Sequence, residues 1–189
     1  MARHTAGDIP DTGPRTPTRI LLEGRPGIGK TTVLRRLAAL LPARGVVGFT
    51  SEEIRQGGSR VGFALETLAG RRAVLAHVGL PGPPRVGRYG VDLAVLERLA
   101  VPCLEQAAST PRQLALIDEL GRMELACPAF RDAVQALFAA DTDVVATVHA
   151  HHDPFTDALK RRVDVEVVRV TSANRAFLAQ ELAARLAGR

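Results

Sequence analysis

Residues 24–32 read Gly-Arg-Pro-Gly-Ile-Gly-Lys-Thr-Thr. Gly24, Gly29, Lys30 and Thr31 match the spacing G-x-x-x-x-G-K-[ST] in full. This spacing constrains the fold more than any other stretch, because it works only as a turn between a buried strand and a helix. The flanks comply. Thr18–Glu23 (TRILLE) is a short apolar strand, and a helix over 30–41 puts Val33, Leu34, Leu37, Leu40 and Leu41 on one face. Glycines let such a loop turn its N–H groups inward, and the helix start behind it attracts negative oxygens. Gly24, Arg25, Pro26, Gly27, Ile28, Gly29, Lys30, Thr31 and Thr32 are therefore expected to bind the phosphates of a nucleotide. Lys30 reaches the β- and γ-phosphates, the Thr31 hydroxyl takes a place on Mg²⁺, and Thr32 adds a phosphate contact. Lys30 and Lys160 are the only lysines among 25 basic Lys and Arg residues. A chain that otherwise chooses Arg keeps Lys where a compact ammonium fits and a flat guanidinium does not.

The second informative stretch is Leu114–Leu125, LALIDELGRMEL. An apolar strand ending in Asp118 and Glu119 is a Walker B arrangement, with Asp118 holding the metal. Glu119, one residue on, is expected to orient and deprotonate an attacking water. Parallel strands deliver such residues to the crevice at their carboxyl ends, where the phosphate loop also lies. Glu124 either shapes the site or is a solvated acid near a helix start. In a nucleotidase with an Asp-Glu pair, an extra strand is expected between the two phosphate-site strands. Val144–Val148 is that strand, with Thr147 or His149 sensing the γ-phosphate. The cluster His149, His151, His152 and Asp153 lacks good metal-site spacing and reads as a surface turn. Transition-state charge calls for a further cation, and Arg55, Arg60, Arg88 and Arg122 are the candidates.

Elsewhere, strands and helices alternate. Residues 1–17 read as a flexible tail and 18–189 as a single domain. Strands are expected at 45–50, 113–118, 144–148 and 163–168, and helices at 91–108, 128–140, 154–161 and 172–187. The glycine-dense stretch 51–90 reads as a small antiparallel β insertion. The class is α/β, three layers around a mostly parallel sheet. No apolar run is long enough to span a bilayer and the first residues lack an apolar secretory core, so the expectation is a cytoplasmic chain away from membranes. Cys103 and Cys127 read as small buried hydrophobes. The formal net charge of +5 is spread over scattered pairs such as Arg35-Arg36 and Arg161-Arg162, with one Tyr and no Trp for base stacking. Nucleic acid is therefore not expected as the main partner.

Beyond these single motifs, GRPGIGKTT, GFTSEEIRQGGSRVGF (48–63), VGRYGVDL (86–93), LIDELGRMEL (116–125) and VTSANR (170–175) occur in that order. Together they resemble the THEP1-type nucleoside-triphosphatase family, which includes the cancer-related nucleoside-triphosphatase of animals. The resemblance runs from about Ile20 to Leu186. It implies a P-loop NTPase of the RecA-like, catalytic-glutamate class and slow, Mg²⁺-dependent hydrolysis of ATP, GTP and other nucleoside triphosphates. It also implies a second nucleotide-contacting segment at Leu114–Gly121, including Leu116, Ile117, Asp118, Glu119 and Gly121, with Asn174 and Arg175 near the base. Lys30 and Glu119 are the expected catalytic residues, and Thr31 and Asp118 the metal ligands. Leu120 and Arg122 stand where the family often has Ile and Lys. Two other readings share the loop: a kinase passing the γ-phosphate to a nucleoside or polynucleotide end, and a nucleotide-dependent switch.

Overall fold

The computed structural model describes residues 16–42 and 45–187. The expected tail at 1–17 lies, except for Thr16 and Pro17, outside the described residues.

β1 (Arg19–Glu23) leads through the phosphate loop into α1 (Lys30–Leu40). β2 (Val46–Gln56), β3 (Ser59–Thr67), β4 (Arg72–His77), β5 (Arg85–Val86) and β6 (Tyr89–Val91) follow. A long helical segment comes next, made of α2 (Leu93–Val95), a π turn (Leu96–Ala100) and α3 (Val101–Ser109). The chain continues through β7 (Leu114–Leu120), α4 (Pro128–Ala139), β8 (Asp143–Val148), α5 (Pro154–Lys160), β9 (Glu166–Arg169) and α6 (Leu178–Ala187).

Among the described residues, nine strands form one sheet in the order β5-β6-β4-β3-β2-β7-β8-β1-β9. From β2 to β9 the pairing is parallel, and β8 lies between β1 and β7, as expected for the extra strand. From β2 outward to β5 it is antiparallel. The glycine-rich stretch thus extends the main sheet.

Alternation along the parallel strands builds two cores. Ile20, Leu22, Leu114, Leu116 and Val145 face α1 and α6, against Val33, Leu34, Leu37, Leu178 and Leu182. Leu21, Ala115, Ile117, Val144 and Ala146 face the other side, against Leu104, Phe130, Val134 and Leu137. Helices on both faces bury these strands on both sides, which is why they read as apolar runs without polar alternation. Cys127 is fully buried, and Cys103 is half-buried with its thiol on the Leu99 carbonyl.

Several boundaries differ from those read in the sequence. β2 runs on to Gln56, because its outer half pairs with β3 from Phe49 to Gln56. Leu40 is 45% exposed, not on the buried seam of α1. The helix expected at 91–108 carries a π turn that ends at Ala100, two residues before Pro102, whose ring and missing N–H disfavour regular α-helical continuation. The strand expected at 163–168 begins only at Glu166. Asp164 is held by Arg19 and Arg162, a turn that leaves Val163 fully exposed. The last helix starts at Leu178, not 172. Thr171 and Asn174 exchange side-chain-to-backbone hydrogen bonds that hold the preceding residues in turns.

Candidate active site

The carboxyl ends of β1, β7 and β8 open into a cavity of about 740 Å³. That lies within the usual range for small-ligand sites. The projecting half of β2 forms one wall through Ser51, Glu52 and Glu53. The turn after β7 and the segment after β8 close the other side.

The phosphate loop forms the floor. Gly29 caps α1 in the left-handed region, at φ 111°, a backbone state that favours glycine. Lys30 is 6% exposed, and its Nζ donates to the Gly24 carbonyl at 2.9 Å. Pro26, Gly27, Gly29, Lys30, Thr31 and Thr32 line the cavity. Gly24 is buried behind the loop, Arg25 is exposed beside it, and Ile28 turns its side chain into the core. Arg175 donates to the Ile28 carbonyl at 3.3 Å, so the late Asn-Arg pair packs against the back of the loop. Asn174 itself is occupied with Thr171 and Arg169.

Asp118 and Glu119 stand at the tip of β7, joined by a cis peptide bond. Leu116 and Ile117 lie just below them with side chains in opposite cores, so their contribution to the site is the placement of the strand. Asp118 is buried. The Thr147 hydroxyl donates to its Oδ1 at 2.7 Å, while Oδ2 has no hydrogen-bond partner among the described residues. Burial pushes its pKa up, and the nearby Thr31 and Thr147 hydroxyls pull against that rise. A hydroxyl beside a buried carboxylate with an unsatisfied oxygen is a donor set suited to a hard divalent cation. Among the described residues, no group of three or more His, Cys, Asp or Glu offers an alternative metal site.

Glu119 Oε2 lies 3.5 Å from Lys30 Nζ, and its Oε1 meets His149 Nε2. Burial opposes its charge, but His149 and Lys30 outweigh it and hold the carboxyl below its ordinary range. Of the two residues considered at the tip of β8, Thr147 is thus engaged by Asp118 and His149 by Glu119. His151 and His152 are exposed. Glu124, in a short 3₁₀ turn (Glu124–Ala126), is 6% exposed. Burial, reinforced by the charges of Glu119 and Asp118, pushes its pKa up to about 8. A Cβ on Gly121 would come within 2.9 Å of both Glu119 Oε1 and Glu124 Oε2, so glycine is what lets the two carboxyls flank this turn. Glu124 therefore belongs to the wall of the site and is not a solvated acid.

The four candidate arginines separate. Arg60 and Arg122 line the cavity. Arg55 folds back onto Glu53 and the Gly58 carbonyl, and Arg88 reaches the Arg60 carbonyl. Arg60 is steadied by Glu53 and the Tyr89 hydroxyl, whereas Arg122 has no ion-pair partner among the described residues. Sequence reasoning gave no role to Lys160 or Glu23. Lys160 Nζ reaches Glu23 at 2.8 Å. The rarity of lysine was the available clue.

Known proteins resemble this chain over most of its length. The profile of a family described as NTPase matches residues 19–183. The nucleoside-triphosphatase THEP1 of Thermotoga sp. (strain RQ2) is 43% identical over 164 residues, covering 87% of this chain and 92% of that protein. The human cancer-related nucleoside-triphosphatase is 40% identical over 177 residues, covering 86% and 93%. The crystal structure of THEP1 from Aquifex aeolicus superposes with a TM-score of 0.81 at 31% identity, covering 89% of this chain and 99% of that one. With its phosphate loop, its Asp-Glu strand tip and the interposed strand β8, the chain belongs to the THEP1-type nucleoside-triphosphatase family of P-loop NTPases.

Proposed function

We propose that the chain hydrolyses ATP, GTP and other nucleoside triphosphates to the diphosphate and phosphate, slowly and with little choice of base. The observation that carries this reading is Glu119, a carboxylate held 3.5 Å from the Lys30 ammonium inside the cavity above the phosphate loop. Residues Gly24–Thr32 bind the phosphates through inward N–H groups and Lys30. Most such contacts go to phosphate oxygens, which are common to all four nucleotides. Thr31 and Asp118 would hold Mg²⁺, and the ion would supply positive charge against the phosphate oxygens.

Glu119 accepts a proton from water as the water oxygen bonds to the γ-phosphorus. The bond from that phosphorus to the bridging oxygen breaks, and the diphosphate leaves with the electron pair. Lys30 stabilises the charge gathering on the phosphate oxygens. Glu119 stays ionised for this task because His149 and Lys30 favour its charged form. We assign completion of the neutralisation to Arg60 and Arg122, which line the cavity, and read residues 18–189 as a single domain. Among the described residues no helix is long and apolar enough to cross a membrane; a cytoplasmic setting is part of our proposal.

The test is phosphate release from ATP, GTP, CTP and UTP with no acceptor present. Glu119→Gln is expected to lose about 10²–10⁴-fold in rate while still binding nucleotide. Lys30→Ala is expected to lose both binding and turnover. Phosphate loss that requires an added nucleoside or nucleic-acid end would overturn the hydrolase reading.

A further inference from the structure

The last strand rung between β1 and β8 pairs Glu23 with Val148. One residue beyond that rung on each strand, Gly24 opens the phosphate loop and His149 meets Glu119. Lys160, the last residue of α5, bridges this gap. Its Nζ lies 2.8 Å from Glu23 Oε1 and donates to the His149 carbonyl at 3.0 Å, with Asp157 Oδ1 at 3.8 Å. Both Lys160 and Glu23 are only 16% exposed. The helix that carries the lysine is fixed at its other end, where Asp153 accepts from the N–H groups of Phe155 and Thr156.

Nothing else described holds the His149 ring by a polar contact: its Nδ1 is buried without a partner, and Nε2 is spent on Glu119. The direction of that ring therefore depends on where its backbone is held. An ammonium can serve acceptors converging from several directions, whereas a planar guanidinium directs its donors into one plane. This chemistry explains why a chain with only two lysines keeps one here.

We propose that Lys160 is a positioning residue for hydrolysis. It clamps the entrance of the phosphate loop to the backbone of His149, so that the His149 ring presents Glu119 in a fixed relation to Lys30. This inference rests on the hydrolase reading above, and the two fail differently. Phosphate release that requires an added nucleoside or nucleic-acid end would remove the hydrolase reading, whereas a wild-type hydrolase with an indifferent Lys160 would remove only the clamp.

The experiment measures kcat, nucleotide affinity and Tm for Lys160→Met, Lys160→Arg and Lys160→Gln, with exposed Arg161→Met as a control. Each Lys160 variant is also combined with His149→Ala. Lys160→Met is expected to lower kcat about 10-fold, with affinity within about 2-fold, a loss corresponding to about 1.4 kcal/mol in the barrier. Lys160→Arg should not restore the rate, and Lys160→Gln, which keeps a hydrogen-bond donor, should restore part of it. In the His149→Ala background, Lys160→Met should add little, since both changes break one chain of contacts. Unchanged kcat in a folded Lys160→Met, full rescue by Arg, or additive losses with His149→Ala would each overturn the proposal. If Lys160→Met fails to fold, Lys160→Gln decides by the same criteria.

Discussion

The two halves of the sheet solve different problems. In the parallel half, β1, β7 and β8 are buried almost throughout; Glu23, Asp118, Glu119 and Thr147 stand at or near their carboxyl ends, and buried Arg19 and Asp143 at the amino ends of β1 and β8. In the antiparallel half, the outer part of β2 and the start of β3 carry Glu52, Glu53, Arg55 and Arg60, all partly or well exposed. The first half fixes a few charges rigidly against a packed core. The second spreads many along an exposed surface and brings only some of them to the cavity. Stability and phosphate chemistry should therefore be concentrated in the parallel half, with charge compensation supplied from outside it.

The strongest challenge to that division comes from the arginines. Removing whichever of Arg60 or Arg122 meets the γ-phosphoryl charge should cost about 10³-fold or more in kcat, the scale of an arginine supplied to such a centre. Arg55→Ala and Arg88→Ala should change kcat by less than about 2-fold, since neither side chain lines the cavity. Steady-state phosphate release on the four single variants checks this. A loss confined to Arg122, which follows β7, would put the charge compensation in the parallel half and break the division.

Stability should divide in the same way. Phe130 is fully buried and packs edge-on against Phe49 at 5.9 Å. Phe130→Ala should cost about 3–5 kcal/mol in urea unfolding. Phe63 of the extension is only half-buried, against Tyr89 at 5.4 Å, and Phe63→Ala should cost less, about 1–2 kcal/mol. Equal losses would mean that the extension is as much a part of the core as the parallel strands.

A smaller effect sharpens the electrostatic side. Glu124 has its pKa raised by burial from an ordinary 4.5 to about 8 in the folded chain. Between these values the unfolded chain has released a proton that the folded one retains. Stability should therefore be greatest below about pH 4.5 as far as Glu124 is concerned. It should fall as pH rises toward 8, by at most about 1.4 kcal/mol per pH unit. Glu124→Gln should flatten that part of the pH–stability curve. A curve unchanged by the substitution would show that the Glu124 carboxyl is not held neutral.

The parallel half was also the more legible in sequence. The spacing of Gly24, Gly29, Lys30 and Thr31 dictates strand, loop and helix together, and the apolar run ending in Asp118-Glu119, downstream of that loop, reads as a buried strand with its acids at one end. The extension was legible as β-structure but not as part of the same sheet, because glycine density and short apolar runs carry no pairing information. Asp164 shows a second limit. Val163-Asp164-Val165 alternates like a strand, yet two arginines distant in sequence, or adjacent but facing the turn, draw the aspartate aside. The His149–Glu119 contact and the Lys160 bridge join residues 30 and 137 positions apart, and no local periodicity reports such meetings.

Strand β2 belongs to both halves: Val46–Phe49 pairs with β7, and Phe49–Gln56 pairs with β3. No free joint separates them. A shift of the Arg60 region toward a docked nucleotide would act on a strand that is also paired to β7, the strand bearing Asp118 and Glu119.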